Sequence, residues 1–364
     1  MSSKGKILVA MSGGLDSTMA ALMLHQEGYE VVGVTMKTFD YATSGGSKKE
    51  TGCCNLDTIN DAREVAVNNG FAHYILDIKD EFGEMVINDF VDEYLAGRTP
   101  NPCVLCNTHI KWDALLKKAD ALGCEYIATG HYARKGVKDG RYFITKAVDE
   151  TKDQSYVLWG LSQESIRRTI FPLGALRKTE VRKNAMDAGY EAVATKSESY
   201  EICFVPDNDY RGFLKRRKPE LQAQVNGGSY VDKNGTVLGK HEGFPFYTIG
   251  QRKGLGIALG EPMFVTNIDP ATNQVQLGPL SELNRSEMFV HKLTWQKYHQ
   301  PEQLEGLLIK IRYKDKGHTG KLKFNGDKVW IQFDEEVAGI APGQSAVFYE
   351  GEDVVGGGRI HSSW

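Results

Sequence analysis

The segment from Ile7 to Leu24 limits the possible folds of this chain more than any other. An apolar run, Ile7-Leu8-Val9-Ala10-Met11, ends in Ser12-Gly13-Gly14-Leu15-Asp16-Ser17, after which Met19, Ala20, Leu22, Met23 and Leu24 recur at helical spacing. A buried strand, a tight turn and a helix in that order commit the N-terminal part to an α/β architecture. Two glycines let the backbone curl so that several N–H groups point inward, the helix start adds partial positive charge, and Ser12, Ser17 and Thr18 bring hydroxyls. That is the chemistry of a pyrophosphate cradle. The bland alternative is a Gly-Gly turn with a Ser or Asp cap. Strand, loop and helix standing in the required order favour the cradle.

Short apolar runs alternate with amphipathic stretches to about residue 205. The spacing predicts strands over 6–11, 30–36, 73–77 and 125–129, and helices over 17–27, 57–69, 79–96, 107–122 and 178–188. The result is a doubly wound parallel sheet, whose ligands sit beyond the carboxyl ends of the strands. Ser12–Ser17 lie there, with Thr35-Met36 and Thr129-Gly130-His131. After Arg211-Gly212-Phe213-Leu214-Lys215-Arg216-Arg217-Lys218-Pro219 the texture changes to Gly-rich turns between short β-like runs, and helical periodicity nearly vanishes. The expected domains are 1–210 (α/β), 211–280 (small, β-rich) and 281–364 (a C-terminal β-barrel). Leu307 to Tyr313 reads as one of the barrel strands, and 43–50 as a mobile loop.

The glycine loop lacks the Gly-Lys-Ser/Thr ending that holds a γ-phosphate and the third glycine of a dinucleotide fingerprint. Ser12 to Ser17 instead resemble the PP-loop of ATP pyrophosphatases, a HUP-like class that adenylates a substrate oxygen and expels pyrophosphate, with Asp16 placed to hold Mg²⁺. The net charge of -3 gives no bulk attraction to nucleic acid, so an RNA partner would need local basic patches. No apolar run reaches the length of a membrane span, so the expectation is a cytoplasmic protein with no membrane partner. In such a chain the six cysteines read as catalytic, metal-binding or buried rather than as a disulfide framework. Cys124, beside Tyr126-Ile127-Ala128, reads as core.

Thr99-Pro100-Asn101-Pro102-Cys103-Val104-Leu105-Cys106-Asn107 is the second strong signal. The prolines impose an extended approach, so the cysteines are expected at the end of a loop where a helix begins, with a helix terminus lowering a thiol pKa. Cys203 lies far along the chain, in Ser199-Tyr200-Glu201-Ile202-Cys203-Phe204. These segments, with Thr129-Gly130-His131-Tyr132-Ala133-Arg134, Lys152-Asp153-Gln154-Ser155-Tyr156, Tyr247 to Gly256 and Arg312-Tyr313, give a full-length resemblance to the bacterial tRNA-specific 2-thiouridylases. The resemblance implies that ATP activates the C2 oxygen of the wobble uridine in the anticodon loop. Sulfur from a donor protein, carried as a persulfide on Cys203, then replaces that oxygen while Cys106 acts as nucleophile and forms a disulfide with Cys203. It further implies nucleotide contacts at Ala10, Met11, Ser12, Gly13, Gly14, Leu15, Asp16, Ser17, Met36 and Gly130. Target-base contacts fall at Asn101, Pro102 and Cys103, and tRNA contacts at His131, Lys152, Asp153, Gln154, Arg312, Tyr313 and Gln344.

Many members of that family carry aspartate where this chain has Cys103, and glycine is common where it has Glu201. The extra thiol opens a second route, in which Cys103, Cys106 and Cys203 ligate a [4Fe–4S] cluster whose fourth iron binds sulfide. The sequence leaves both routes open. Zinc is disfavoured for want of a second Cys pair, and Cys53-Cys54 read as structural. Two rival functions are a PP-loop ligase that joins an amine, which has no need of Cys106 or Cys203, and a nucleotide-sensing tRNA-binding module without catalysis.

Overall fold

Strand β1 (Lys6–Ala10) is buried from Ile7 onward and forms the middle of a parallel sheet. With β2 (Glu30–Lys37), β3 (Ala72–Asp77), β4 (Tyr126–Ala128) and, after an antiparallel hairpin of β5 (Arg134–Lys138) and β6 (Arg141–Thr145), β7 (Thr169–Ile170), the sheet order is β3-β2-β1-β4-β7. Val9 pairs with Gly33 on one side and Ala128 on the other, so the direction of winding reverses between β1 and β4. The loops leaving those two strands therefore open side by side at the carboxyl edge. Val31 to Thr35 are buried, as expected of a strand covered on both faces. The computed structural model describes residues 4–39, 56–196, 202–205, 207–299, 301 and 304–364. Cys53, Cys54, Glu201 and the 43–50 loop lie outside the described residues.

The chain divides into two compact units. One comprises Met1–Val86, Cys103–Asp209 and Glu352–Val354; the other comprises Ile87–Pro102, Tyr210–Gly351 and Val355–Trp364. The second unit contains a four-stranded sheet of β8 (Gly228–Val231), β9 (Val237–His241), β10 (Phe264–Asp269) and β11 (Gln274–Gly278), in the order β10-β11-β8-β9. It also contains β12 (Asn284–Trp295), β13 (Leu308–Lys310), β14 (His318–Asn325), β15 (Lys328–Ala338), β16 (Ser345–Glu350) and most of β17 (Asp353–Ser363). These run β12-β15-β14-β13-β16-β17, and pairing of β12 with β17 closes them into the expected barrel around Met288, Val290, Ile331 and Phe348.

Several sequence expectations need correction. Helix 79–96 is broken into Lys79–Phe82, a π-turn at Gly83–Ile87 and Asn88–Leu95. The helix expected from 107 begins at Pro102, whose fixed φ and missing N–H suit a first helical position. Cys103 and Cys106 thus stand on the helix, not before it. A π-turn, Asn107–Lys111, follows them and leads into Trp112–Ala121. Helicity also persists past residue 209, in Tyr210–Arg217 and Leu221–Val225. Tyr210 stacks on Tyr94 at 4.8 Å and Phe213 meets Phe90 edge-on at 5.8 Å, an apolar face at helical spacing inside a cationic run. Arg312 and Tyr313 lie beyond β13, in an exposed turn.

Trp112 is fully buried, and its indole N–H donates to the Thr169 hydroxyl at 2.8 Å, joining the helix to β7. Trp112→Ala is expected to destabilise the fold by about 3–5 kcal/mol through the cavity it leaves, read as a lowered midpoint in chemical denaturation.

Candidate functional site

Gly13 has φ +69°, and a Cβ there would lie 2.1 Å from the Thr58 carbonyl oxygen. No other residue fits that turn. A Cβ on Gly130 would lie 2.8 Å from the Asp16 carbonyl carbon and the Ser17 nitrogen, so the loop after β4 closes directly onto the first helical turn after β1. Met11 donates its N–H to the Val34 carbonyl at 2.8 Å, and its sulfur lies 2.8 Å from where a Cβ on Gly33 would stand. Ala10 and Leu15 are buried; Met36 is half-buried near the end of β2. The expected nucleotide residues are therefore gathered around one sheet edge. The Ser17 hydroxyl faces into the loop, accepting from the Ser12 N–H at 3.0 Å and donating to the Gly14 carbonyl at 3.1 Å. Next to it, the Thr18 hydroxyl is buried without a hydrogen-bond partner.

Asp16 does not stand alone. The Lys178 ammonium donates to both of its oxygens, at 2.6 and 2.8 Å, and the Tyr132 hydroxyl donates to one at 2.9 Å. The ammonium also lies 5.6 Å from the centroid of the Tyr132 ring. Across the loop, Lys196 donates to the Gly13 carbonyl at 3.1 Å and pairs with Asp61. Two ammonium groups thus flank a glycine turn, an arrangement suited to a polyanion. Sequence reasoning missed Lys178. The available signal was its place at the start of helix Lys178–Asp187, where the macrodipole disfavours a cation unless an anion compensates it.

Gln154 and Asp153, expected at tRNA, have architectural partners. Gln154 donates its main-chain N–H to the Tyr132 carbonyl at 2.8 Å and accepts the Tyr132 N–H on its side chain at 2.9 Å. Asp153 accepts from the Ala147 N–H, the Ser155 N–H and the Ser155 hydroxyl, the last at 2.7 Å. Gln154 shapes the segment that carries Tyr132, while Asp153 ties Ala147 to the turn that leads into Ser155. Lys152 is half-buried.

The His131 ring lies 5.5 Å from that of Trp112, with Nδ1 and the Thr129 hydroxyl 2.9 Å apart. Desolvation and, secondarily, the Lys111 charge hold its pKa well below the ordinary value, so the ring is neutral. The same ammonium acts on Cys103. That residue is exposed, yet its thiol is desolvated enough to be pushed up, with Lys111 offsetting only part of the effect. The expectation that a helix terminus lowers this thiol therefore fails at Cys103, where loss of solvent outweighs the field.

Cys106 and Cys203 are half-buried. Asn107, which follows Cys106, is buried; its amide donates to the Val157 carbonyl at 3.1 Å, while its own oxygen has no partner. Cys203 sits in a turn closed by the Val205 N–H to the Ile202 carbonyl at 2.8 Å and anchored by Phe204, which meets Phe82 edge-on at 5.8 Å. Among the described residues no three His, Cys, Asp or Glu are grouped to hold a metal ion. Cys103, Cys106 and Cys203 as placed do not fit a cluster.

In the second unit, Asn101 is half-buried and Pro102 buried, Arg312 and Tyr313 are exposed, and Gln344 is half-buried with its amide turned to the Thr99 and Pro100 carbonyls. Among the described residues no helix is long and apolar enough to cross a membrane.

Residues 5–207 match the family described as the tRNA methyl transferase HUP domain, 212–279 the tRNA methyl transferase PRC-barrel domain, and 285–360 the aminomethyltransferase beta-barrel domain. The chain is 61% identical to the tRNA-specific 2-thiouridylase MnmA of Cytophaga hutchinsonii, across 100% of this chain and 99% of that protein. It is 60% identical to the protein of that name from Amoebophilus asiaticus (99% and 96% covered) and 54% identical to that of Salinibacter ruber (99% and 95% covered).

The histidines make a pH prediction. His73 is held low by burial and then by the Arg63 charge, as His131 is by burial and Lys111. Well above pH 6.5 both rings are neutral in folded and unfolded chains alike. Below it the unfolded chain gains protons that the folded one refuses, so stability falls with pH, by at most about 1.4 kcal/mol per pH unit for each ring. Thermal midpoints between neutral and mildly acidic pH test this, and the ring signals of His131 in NMR are expected not to titrate across pH 6.5.

Proposed function

Since the chain belongs to the tRNA-specific 2-thiouridylases, we propose that it replaces the C2 oxygen of the wobble uridine in tRNA with sulfur, at the expense of ATP. The observation that carries this reading is the Gly13 turn with Gly130 closed onto it and Lys178 and Lys196 beside it. The residues present fit a nucleotide polyphosphate: a turn that admits no Cβ, two ammonium groups, and an unpartnered buried hydroxyl at Thr18. Asp16 is the candidate for Mg²⁺, which would draw its carboxylate from Lys178 and free that ammonium for the phosphates.

The uracil C2 oxygen is a poor leaving group. Attack by that oxygen on the α-phosphorus forms an O-adenylate and releases pyrophosphate, which turns it into a good one. A sulfur-donor protein loads Cys203 as a persulfide. The Cys106 thiolate attacks the inner sulfur of Cys203, and the outer sulfur leaves with the bonding pair to attack C2. AMP departs, and a Cys106–Cys203 disulfide remains for an external dithiol to reduce. Two electrons taken from the thiols balance the reduction of the persulfide sulfur to the sulfide level. The iron–sulfur route finds no cluster-shaped group among the described residues. The neutral His131 would add no charge near the reacting base, and the exposed Arg312 and Tyr313 would meet phosphate and base.

Cys106→Ser and Cys203→Ser are each expected to lose all detectable 2-thiouridine formation while still binding ATP, measured by nucleoside analysis of the tRNA beside nucleotide binding. Retention of 2-thiouridine formation in either variant would overturn the persulfide relay, and AMP and pyrophosphate release by the wild type without any 2-thiouridine would point to the amine-joining ligase. Protein purified without oxygen is expected to contain no stoichiometric iron, and to yield a trappable persulfide on Cys203 after incubation with a donor.

A further inference from the structure

The segment Arg98–Pro100, which leads into Asn101 and Pro102, is gripped by a turn of the C-terminal barrel. Thr99 donates its N–H to the Pro342 carbonyl at 2.8 Å. The Gln344 side-chain amide donates to the Pro100 carbonyl at 2.8 Å and to the Thr99 carbonyl at 3.3 Å. Gly343, at φ +93°, allows this approach, because a Cβ there would lie 2.6 Å from the Thr99 oxygen. The turn itself is fixed to the barrel: Gly343 donates to the Ile360 carbonyl at 2.9 Å and Ile360 donates to the Gln344 carbonyl at 2.8 Å.

A second tie lies one turn back along the chain. Glu93 is buried, accepts from Arg98 Nε at 2.8 Å, and pairs with Arg359 of β17 at 2.8 Å. Arg359 reaches Asp89 as well, at 3.2 Å. Burial opposes the Glu93 charge, but the Arg98 hydrogen bond and the Arg359, Arg98 and Lys292 charges prevail and hold its carboxyl below the ordinary value. The barrel thus holds both the end of helix Asn88–Leu95 and the peptide groups that follow it.

We infer that the Pro342–Gln344 turn sets the path of Thr99 to Pro102, with Gln344 a positioning residue that acts through the Thr99 and Pro100 carbonyls. This departs from the tRNA contact expected for Gln344, since its N–H donors are already spent on backbone. It rests on the proposed function only for the claim that Asn101 and Pro102 meet the target base. The barrel then serves the reaction by fixing a loop, apart from any contact it makes with RNA.

Gln344→Ala and the isosteric Gln344→Glu, which removes the N–H donors, test it in the full-length protein. Without tRNA, hydrogen exchange in peptides covering residues 96–106 is expected to quicken by about tenfold in both, the loss of roughly one to two hydrogen bonds. In thiolation assays kcat is expected to fall about tenfold with the KM for tRNA unchanged, a split that a general loss of barrel stability would not produce. Unchanged exchange with a raised tRNA KM would overturn the inference in favour of a direct tRNA contact. Should the wild-type protein form no 2-thiouridine, the proposed function fails, while the exchange measurement still reads the clamp.

Discussion

The approach of Gly13 to the Thr58 carbonyl and of Gly130 to the Asp16–Ser17 backbone brings three chain segments within distances that a single methyl group would forbid. Everything at that edge of the sheet depends on this packing. It places the Asp16 carboxylate where Lys178 and Tyr132 reach it, and the Gly13 carbonyl where Lys196 does. The parallel pairing of β1 with both β2 and β4 supplies the frame, because adjacent strands whose chain paths diverge leave a gap between their exit loops. The ion pair is thus a product of topology as much as of sequence.

Much of this was legible in the chain itself. The periodicity of 6–11, 30–36 and 125–129 located the strands around the site, and the seven motif segments led to the same family as the full-length relatives. What stayed hidden has physical reasons. Lys178 pairs with a residue 162 positions away, and no local pattern encodes such a contact. The helix Tyr210–Arg217 was masked by its own charges, since five cations in the run from Arg211 to Lys218 obscure the apolar face of Tyr210, Phe213 and Leu214. The helix start at Pro102 was misplaced because proline is both a breaker of helices and a good first residue of one.

The cysteines divide by environment more than by spacing. Cys103 and Cys106 share one short helix, yet Cys103 has a thiol made less acidic by loss of solvent, while Cys106 is followed by a buried asparagine that keeps one lone-pair-bearing oxygen unpaired. Cys203 is held by aromatic packing of its neighbour, Phe204 against Phe82, instead of by secondary structure.

The π-turn at Asn107–Lys111 has a geometric consequence. A wide turn amounts to one residue more than an α-helix would use over the same rise, and each residue advances the side-chain direction by roughly 100°. Trp112, locked into the core, fixes the phase at one end; the wide turn then decides which way the helix bearing both thiols faces at the other. Excising any one residue of that turn would straighten the rod and swing the sulfur atoms by about a quarter of a revolution, leaving the composition of the site intact and its aim lost.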